Sequence, residues 1–566
     1  MTKIGENVWG LDFGTTTSYL AESEPVVGSK VFSLRQPGLL RDYIPSVVRS
    51  SPQGLIVGEK AEAAPEEEIF RSVKLAITRR KKTLPIYPLG SEEDRLDNGP
   101  IDADSAIVAI LEHIRKIVSS DVGGSPIRLG CPAMWDGDQR SRLINLANQA
   151  GFTVLHETLI DEPVSACIAW YSRQEAYGLR PKGKTLVFDM GGGTLDLAVL
   201  KLASDSARPA IFVEASDGLG EAGDALDDAL HQLLLSKESG NKEREALIIK
   251  YPGWIKKASR ELKEQIGNRP SASTLVRLPD NNSLQLTITQ DDLRQAFEPQ
   301  FGRAKAILFW VLRRAKISEG RYRNENDEDQ STAIDGTAMR KLTEDELLSE
   351  VEQLLLVGGM SQMPLIRTML AEMGMPQERI IGVESIDANS AVALGLGLGH
   401  HRNYEHLSLD RPAFDFTLHW VRDGQQHKET IHCAYARLYH PGQEINGAMK
   451  ITWKNHHRSK DSDDGRSIFR AESQSGEVIP LEGADLKPNT EGFYYQFGDN
   501  PNAVIILEPT GRIFIRHGNG EEHTLKVVRW PIFDDSGKRT LQISVPKRLT
   551  TAQRLSGLSF HERPSS

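Results

Sequence analysis

The sequence has few cysteines, no long apolar run and no excess of positive charge. Each of these features would have indicated a particular class of protein. Its three cysteines, Cys131, Cys167 and Cys433, are far apart. This spacing supports neither a disulfide framework nor a cysteine metal site, and it favours a reducing, cytoplasmic setting. No apolar run is long enough to span a bilayer, and residues 1–7 lack the apolar core of a signal peptide. A membrane partner is not expected.

The charge balance argues against nonspecific binding to nucleic acid. Acidic residues outnumber basic ones, 78 to 68, and the net charge is −10, whereas a protein that grips phosphate backbones carries the opposite sign. Hydrophobic residues make up 39% and charged residues 26%, which is typical of a folded globular protein. A chain of 566 residues is expected to form several domains.

Two short stretches of similar chemistry lie far apart in the chain. Residues 12–18 (DFGTTTS) and residues 188–196 (FDMGGGTLD) each join two apolar runs through glycine and hydroxyl residues. The pattern predicts two β-hairpins, each with an aspartate at the end of its first strand and a turn rich in hydrogen-bond donors. Glycine lets backbone amides approach a phosphate, and adjacent carboxylates can hold a hydrated magnesium ion. The repetition indicates a duplicated phosphate-binding domain.

Three further stretches support the duplication. Residues 354–361 (LLLVGGMS) predict a buried strand that ends in a third glycine turn. Residues 161–169 and 387–399 predict helices rich in small side chains, which suit close packing, at matching places in the two halves. A helix is also expected over residues 61–80, and it would carry Lys74.

The pattern changes after about residue 402. Short alternating runs separated by glycine, proline and Asn/Asp clusters predict a β-rich C-terminal domain. Its histidines have no regular ligand spacing, so no metal site is expected from His427, His432, His440, His456 and His457. Upstream, the polar residues 319–344 are expected to form a solvated loop insertion.

Residues 8 to about 400 resemble the nucleotide-binding domain of the DnaK-type (heat-shock protein 70) chaperones, within the wider actin and sugar-kinase superfamily. The resemblance rests on the two glycine turns, on an adenosine-type motif at residues 356–359 (LVGG) and on the two small-residue helices. Narrower details also agree in order and spacing: residues 44–48 (IPSVV), 57–59 (VGE), 72–74 (SVK) and 131–140 (CPAMWDGDQR).

The resemblance implies an α/β fold, namely a duplicated actin-like (ribonuclease H-like) ATPase domain with two lobes. A β-rich C-terminal domain without a long helical lid would follow it. The implied boundaries are residues 1–402 for the nucleotide-binding domain, 403–412 for a short linker and 413–566 for a client-binding β domain.

The resemblance also implies a role in ATP hydrolysis for each matching residue. Asp12 and Asp189 would hold Mg²⁺ through its waters, and Glu162 would support that hydration shell. Asp196 and Lys74 would act on the attacking water and the γ-phosphate. The phosphates would be cradled by Gly14, Thr15, Thr16, Gly191, Gly192, Gly193 and Thr194. The nucleoside would be flanked by Gly223, Lys263, Gly358, Gly359 and Gln362.

The chain departs from the family pattern at several positions. Gln362 stands where the family has an arginine that stacks on adenine, and Asn389 replaces an aspartate of the second connecting motif. Residues 259–263 (SRELK) are out of register with the helix that lines the adenosine pocket, and the leucine-rich linker is reduced to residues 406–410 (HLSLD). The departures around the pocket are expected to affect nucleotide affinity and base preference more than hydrolysis.

The sequence therefore predicts a slow, partner-stimulated ATPase of the chaperone or conformational-switch type, in which ATP or ADP controls the binding of a client protein or peptide by the β domain. A J-type co-chaperone and a nucleotide exchange factor are the further partners that the resemblance implies. Two alternatives stay open. One is an actin-like, nucleotide-dependent scaffold or filament, and the other is a small-molecule kinase of the same fold, which would need a further general base.

Overall fold

The computed structural model describes residues 8–527 with gaps at residues 25–27, 33, 35–40, 66–67, 85–99, 119–121, 125, 156–157, 204–209, 324–340, 383–387, 399–405, 409–410, 413, 438–450, 474–475, 477, 480, 484–490 and 508–511. The expected absence of a long helical lid, residues 403–405 and 409–410 of the predicted linker and the centre of the polar insertion lie outside the described residues. Within them, no helix has the length and apolar character to cross a membrane.

The first lobe is built on a mixed sheet. Its central strand, Val8–Phe13, is buried along its whole length, which explains its largely apolar sequence. This strand pairs antiparallel with Thr17–Glu24 and parallel with Arg128–Cys131. Gly28–Phe32 extends one edge of the sheet and Leu159–Asp161 the other, and the short strand Ile44–Pro45 also pairs with the second strand.

The second lobe repeats this arrangement. Gly183–Met190 is central, pairing antiparallel with Leu195–Ala203 and parallel with Val351–Val357. Ala210–Leu219 and Ile380–Ile381 complete the sheet at its two sides. When the five main strands of each lobe are numbered in chain order, both sheets have the same spatial order of strands, 3-2-1-4-5. The two lobes share one topology, as expected of a duplicated domain.

Two helices in equivalent places join the lobes. Glu162–Ala176 follows the last main strand of the first sheet, and Ala391–Leu398 follows that of the second. They pack directly against each other, and a Cβ added to Gly395 would lie 1.7 Å from the carbonyl oxygen of Ser165. The small side chains predicted for these helices are therefore required by how closely the backbones approach.

The other helices of the lobes begin at local signals. Asp102 accepts a hydrogen bond of 2.7 Å from the Ser105 amide at the start of Ala103–Ile117. Asp136 and Gln139 form a capping box ahead of Gly137–Gln149. The remaining helices are Glu59–Glu62, Leu75–Thr78, Gly223–Lys237, Lys242–Lys250, Pro252–Ile266, Gln290–Arg323, Glu344–Ser349 and Pro364–Glu372. Three small hairpins pair Val48–Ser51 with Gly54–Val57, Thr83–Leu84 with Ile101–Asp102, and Ser271–Arg277 with Ser283–Thr289.

The prediction of one continuous helix over residues 61–80 is wrong. Short helices form only at its two ends, because the backbone of Phe70 pairs with that of Val48. Ser72 also has a φ of 58°, which a right-handed helix cannot contain. Lys74 therefore lies immediately before a four-residue helix and is 2% exposed, instead of facing solvent on a long helix.

The region after residue 411 consists of antiparallel strands in two sheets. One sheet contains Phe414–Arg422, Gln425–His432, Arg466–Ser473, Val478–Ile479 and Phe493–Gln496. The other contains Ile451–Lys454, Val504–Leu507, Arg512–Arg516, Glu522–Val527 and Leu481–Gly483. Just before this region, His406–Ser408 pairs in parallel with Ala210–Leu219 and so becomes an edge strand of the second lobe. The regular structure described in this region is mostly β-strand, as the alternating pattern predicts.

We predict opposite effects of one substitution at two helical glycines. Gly395→Ala should lower the free energy of unfolding by about 1–3 kcal/mol, because the added methyl group overpacks the helix crossing. Gly302→Ala, at an exposed site in Gln290–Arg323 with no atom within 4 Å of the added Cβ, should raise it by about 0.5–1 kcal/mol. Urea unfolding followed by tryptophan fluorescence measures both, and an equal shift for the two variants would contradict the crossing geometry.

Candidate functional site

The two predicted hairpin turns meet between the lobes. Asp12 lies opposite Tyr19 in the first hairpin, and Asp189 lies opposite Asp196 in the second, so both aspartates stand at the ends of buried strands. The turns approach so closely that a Cβ on Gly192 would lie 2.0 Å from the Thr16 hydroxyl oxygen. The fold thus brings two distant stretches of the chain into a single site.

A cavity of about 580 Å³ lies beside these turns. This volume is within the range of small-molecule and cofactor sites. Most of the residues predicted from the sequence line it: Asp12, Gly14, Thr15, Thr16, Lys74, Glu162, Asp189, Gly191, Gly192, Thr194, Gly223, Lys263, Gly358 and Gly359.

Three predicted residues do not line the cavity. Gly193 packs against Thr15, which a Cβ at this position would approach to 2.7 Å. Asp196 is 1% exposed and accepts a hydrogen bond of 2.7 Å from the Ala133 amide. Gln362 is exposed. The aspartate is thus held in place by the backbone of the first lobe.

The polar groups of the cavity are unevenly charged. Lys74 donates a short hydrogen bond to Glu162, and both side chains are buried. Asp12, Asp189 and Asp196 are also buried and interact electrostatically with this pair. Within this buried cluster, the one ammonium group of Lys74 therefore faces four carboxyl groups.

The pKa values reflect this excess. Burial raises the pKa of Asp12 to about 7, with a further contribution from Glu162. Burial and Glu162 likewise raise the pKa of Asp196 to about 7 and hold that of Asp189 well above its usual range. Burial alone would lower the pKa of Lys74, but Glu162 and Asp12 outweigh it and leave the pKa raised.

The carboxyl groups fit a hydrated magnesium ion. Magnesium prefers oxygen ligands, keeps several of its waters and is usually bound through one or two carboxylates. Asp12 and Asp189 both line the cavity at the ends of their strands, and a divalent cation there would stabilise their ionised forms, which burial disfavours.

Residues 8–320 match the family model described as Hsp70 protein, and this segment is more than half of the chain. The chain belongs to the Hsp70 protein family. It is 27% identical over 408 residues to the chaperone protein HscA homolog of Burkholderia pseudomallei (strain 668), which covers 69% of this chain and 57% of that relative. It is 26% identical over 306 residues to the chaperone protein HscA homolog of Bordetella pertussis, which covers 53% of this chain and 41% of the relative.

Membership of the Hsp70 family gives the lobes the actin-like, two-lobed α/β fold that the motifs predicted. The Burkholderia match spans 57% of the relative's length, and the Hsp70 match itself ends at residue 320. The antiparallel sheets after residue 411 therefore lie beyond the part that the family model covers.

Two of the departures from the Hsp70 pattern are in contact. Gln362 Nε2 donates a hydrogen bond of 3.0 Å to Asn389 Oδ1. Gln362 is exposed, whereas Asn389 lines the cavity. An uncharged amide pair thus occupies the rim at the place where the family pattern has an arginine and an aspartate.

Sequence reasoning missed two groups of polar contacts at the cavity, one at Asp224 and one around Asp227. Ser72 donates a short hydrogen bond to Asp224, which connects the first lobe to the start of helix Gly223–Lys237. Asp227 accepts from Arg260 at 3.2 Å and lies 2.7 Å from Lys263 Nζ. Lys263 also donates to the Gly223 carbonyl oxygen at 3.2 Å. No sequence spacing signals these contacts, because each joins separate elements.

A chain of hydrogen bonds connects Asp196 with the β-rich region. Ala133, whose amide binds Asp196, accepts through its carbonyl oxygen from Arg411. Arg411 also donates to the carbonyl oxygens of Met134, Trp135 and Tyr435, and it is 2% exposed. One residue of the first lobe therefore contacts both the cavity aspartate and the segment that enters the β-rich region.

Further contacts fix the junction between the loop at residues 133–137 and the loop at residues 433–437. We call this junction the joint. The Gly137 amide donates to the Ala434 carbonyl oxygen at 2.6 Å. The Arg140 guanidinium lies 4.0 Å from the centre of the Tyr435 ring. Arg140 also donates to Asp161, the residue before Glu162, at 2.6 Å. The joint thus reaches the cavity by two routes.

Asp217 ties the second lobe to the same joint. It is fully buried and accepts from Arg314 at 2.7 Å and from Arg437. Burial would raise the pKa of Asp217, but Arg314, Arg437 and Arg411 outweigh it and hold that pKa below its usual range. Removing this carboxylate would take an ion-pair partner from the buried Arg314, which is costly.

We predict a pH dependence caused by Asp12. Its pKa is raised from 3.8 to about 7 on folding, so its contribution to stability is full below pH 3.8 and is lost as the pH rises towards 7. The free energy of unfolding of the wild type, relative to Asp12→Asn, should therefore fall by roughly 2–4 kcal/mol over this window.

Urea unfolding of both forms across the window measures the difference. Glu162→Gln, which removes a charge that raises the Asp12 pKa, should move the fall to lower pH. Saturation with Mg²⁺ and ADP should diminish it, because a cation favours the ionised carboxylate. Parallel pH profiles for the wild type and Asp12→Asn would contradict the assignment.

Proposed function

We propose that this Hsp70-family chain is an ATP-binding and ATP-hydrolysing chaperone or conformational switch. The observation that carries the proposal is the meeting of two glycine–threonine turns with Asp12, Asp189 and the Lys74–Glu162 pair at a single cavity. Backbone amides and hydroxyls in such turns bind phosphate oxygens. Family membership and the chaperone names of the relatives support it.

In this proposal each part of the cavity has a distinct task. Gly14, Thr15 and Thr16 and their counterparts Gly191, Gly192 and Thr194 would cradle the phosphates, with Gly193 giving the second turn its close packing. Asp12 and Asp189 would hold Mg²⁺ through water, with Glu162 supporting the hydration shell. When bound, the ion would neutralise charge on the phosphates.

The attacking water would be oriented by Lys74 and Asp196. The Lys74 ammonium is fixed by Glu162, and Asp196 is fixed by the Ala133 amide, so both groups are positioned before substrate arrives. Positioning and charge stabilisation supply most of the catalysis in phosphoryl transfer. Gly223, Lys263, Gly358 and Gly359 would flank the nucleoside, with Gln362 at the rim beyond Asn389.

We further propose the domain division inferred from the sequence: a nucleotide-binding domain at residues 1–402, a linker at 403–412 and a client-binding β domain at 413–566. The joint and the edge strand His406–Ser408 are the means by which nucleotide state would reach the β domain. The proposed partners are a client protein or peptide, a J-type co-chaperone and a nucleotide exchange factor.

We predict that Lys74→Ala and Asp196→Asn each lower kcat for ATP hydrolysis by at least about 100-fold, the cost of removing one electrostatic or acid–base group. Lys184→Ala is the matched control, because Lys184 is another buried lysine with a glutamate partner, at 2.8 Å from Glu350, and it does not line the cavity.

Phosphate release at saturating ATP measures kcat, and binding of a fluorescent ATP analogue confirms that each variant retains its cavity. Equal rates in the wild type, Lys74→Ala and Asp196→Asn would refute the catalytic assignment. ATP consumption only with an added hydroxyl substrate would indicate the kinase alternative, and ATP-dependent light scattering would indicate the filament alternative.

We also predict that Arg411→Ala separates the joint, because four carbonyl oxygens each lose a hydrogen bond, while that of Trp135 keeps another side-chain donor, Arg140. Amide hydrogen exchange in residues 433–437 should become at least about tenfold faster, and its dependence on ATP against ADP should disappear. Arg422→Ala, at an exposed arginine of the same region whose side chain is 51% exposed, is the control. Equal amide protection of residues 433–437 in the two variants would contradict a role for Arg411 in coupling the cavity to the β-rich region.

A further inference from the structure

Three potential metal ligands meet on the β-rich region, outside the nucleotide cavity. Among the described residues, Glu429, His456 and His457 form a group whose ligand atoms all lie within 4.8 Å of one another. Glu429 belongs to strand Gln425–His432 of one sheet, whereas the two histidines follow strand Ile451–Lys454 of the other. The irregular histidine spacing gave no hint of this group, because its third member is a glutamate from a different sheet.

The atoms are close to the separations that a small cation requires. Glu429 Oε2 lies 2.5 Å from His457 Nε2 and 3.6 Å from His456 Nε2. Ligands of a tetrahedral zinc ion, at bond lengths of about 2.0–2.2 Å, lie roughly 3.3 Å apart. Both imidazoles therefore already direct Nε2 towards one carboxylate oxygen, and shifts of about 1 Å or less would admit an ion.

Neighbouring groups hold the ligands in these orientations. Trp453 Nε1 donates to the second carboxylate oxygen of Glu429 at 3.0 Å. Asn455 accepts from the His457 amide at 3.2 Å and donates to the His457 carbonyl oxygen at 3.0 Å. Hydrogen bonds that orient ligands from behind are a regular feature of metal sites.

The surroundings are apolar on one side and open on the other. The His457 ring packs against Trp420 and Phe497, with centroid distances of 4.7 and 4.9 Å. The His456 side chain is 62% exposed. Two imidazoles and one carboxylate, with an open fourth position, make up a ligand set that zinc uses widely.

We propose that Glu429, His456 and His457 bind a divalent ion of the zinc class, with water in the fourth position. The ion would replace the proton shared between His457 and Glu429, and it would cross-link the two sheets of the β-rich region. Imidazole and carboxylate ligands select zinc-class ions over magnesium, which takes oxygen ligands. The site is therefore chemically distinct from the magnesium site proposed in the cavity.

Isothermal titration of the chelator-treated full chain with ZnCl₂ tests this site. Excess Mg²⁺ in the buffer keeps zinc away from the cavity carboxylates, because magnesium competes for oxygen ligands. We expect one site per chain, with affinity reduced at least about 100-fold in Glu429→Gln and in His456→Gln, and about tenfold in Trp453→Phe. His427→Gln, which removes an exposed histidine of the same strand as Glu429, should keep the wild-type affinity.

A second readout separates a true site from a loss of folding. Co²⁺ bound in place of zinc should give the intense visible absorption of a tetrahedral complex, and this absorption should vanish in His456→Gln while the near-ultraviolet circular dichroism stays unchanged. The proposal is overturned by an absence of zinc binding to the wild type. It is equally overturned by wild-type affinity in both Glu429→Gln and His456→Gln.

Discussion

The unequal charge buried around Lys74 is the constraint on which the rest of the structure depends. Four carboxyl groups share this one ammonium group in a site removed from water. Such an arrangement is unfavourable by itself, since burial disfavours the ionised form of every carboxyl group. A divalent cation bound there would offset this cost. The identical strand order of the two lobes supplies one aspartate to the cavity from each central strand.

The same constraint explains why the cavity and the β-rich region are joined so directly. Asp196 is oriented by the Ala133 amide, and the carbonyl oxygen of that residue binds Arg411. A displacement of Asp196 would therefore act on a peptide unit that Arg411 also contacts. Arg140 forms a parallel connection, from Asp161 beside Glu162 to the ring of Tyr435. Few intervening residues are needed, because one short loop touches both partners.

Features of the fold and of the site could be predicted from the sequence when residues close together in the chain form them. The hairpin turns and the two small-residue helices are encoded by neighbouring residues, and both were predicted. The helix over residues 61–80 was wrong, because pairing of Phe70 with Val48 overrides local helical preference. The Ser72–Asp224 hydrogen bond and the histidine–glutamate cluster could not be predicted, since each joins residues whose proximity is created only by the fold.

Arg411 binds main-chain oxygens and no side-chain oxygens of residues 133–135. A peptide carbonyl is present whatever residue occupies the position, so this recognition is indifferent to the side chain. Replacing the Met134 side chain would therefore leave its hydrogen bond to Arg411 in place. Replacing Arg411 would not, because no other side chain can serve as many carbonyl oxygens at once. The connection across this boundary thus depends on the side chain of one residue and on the main chain of the others.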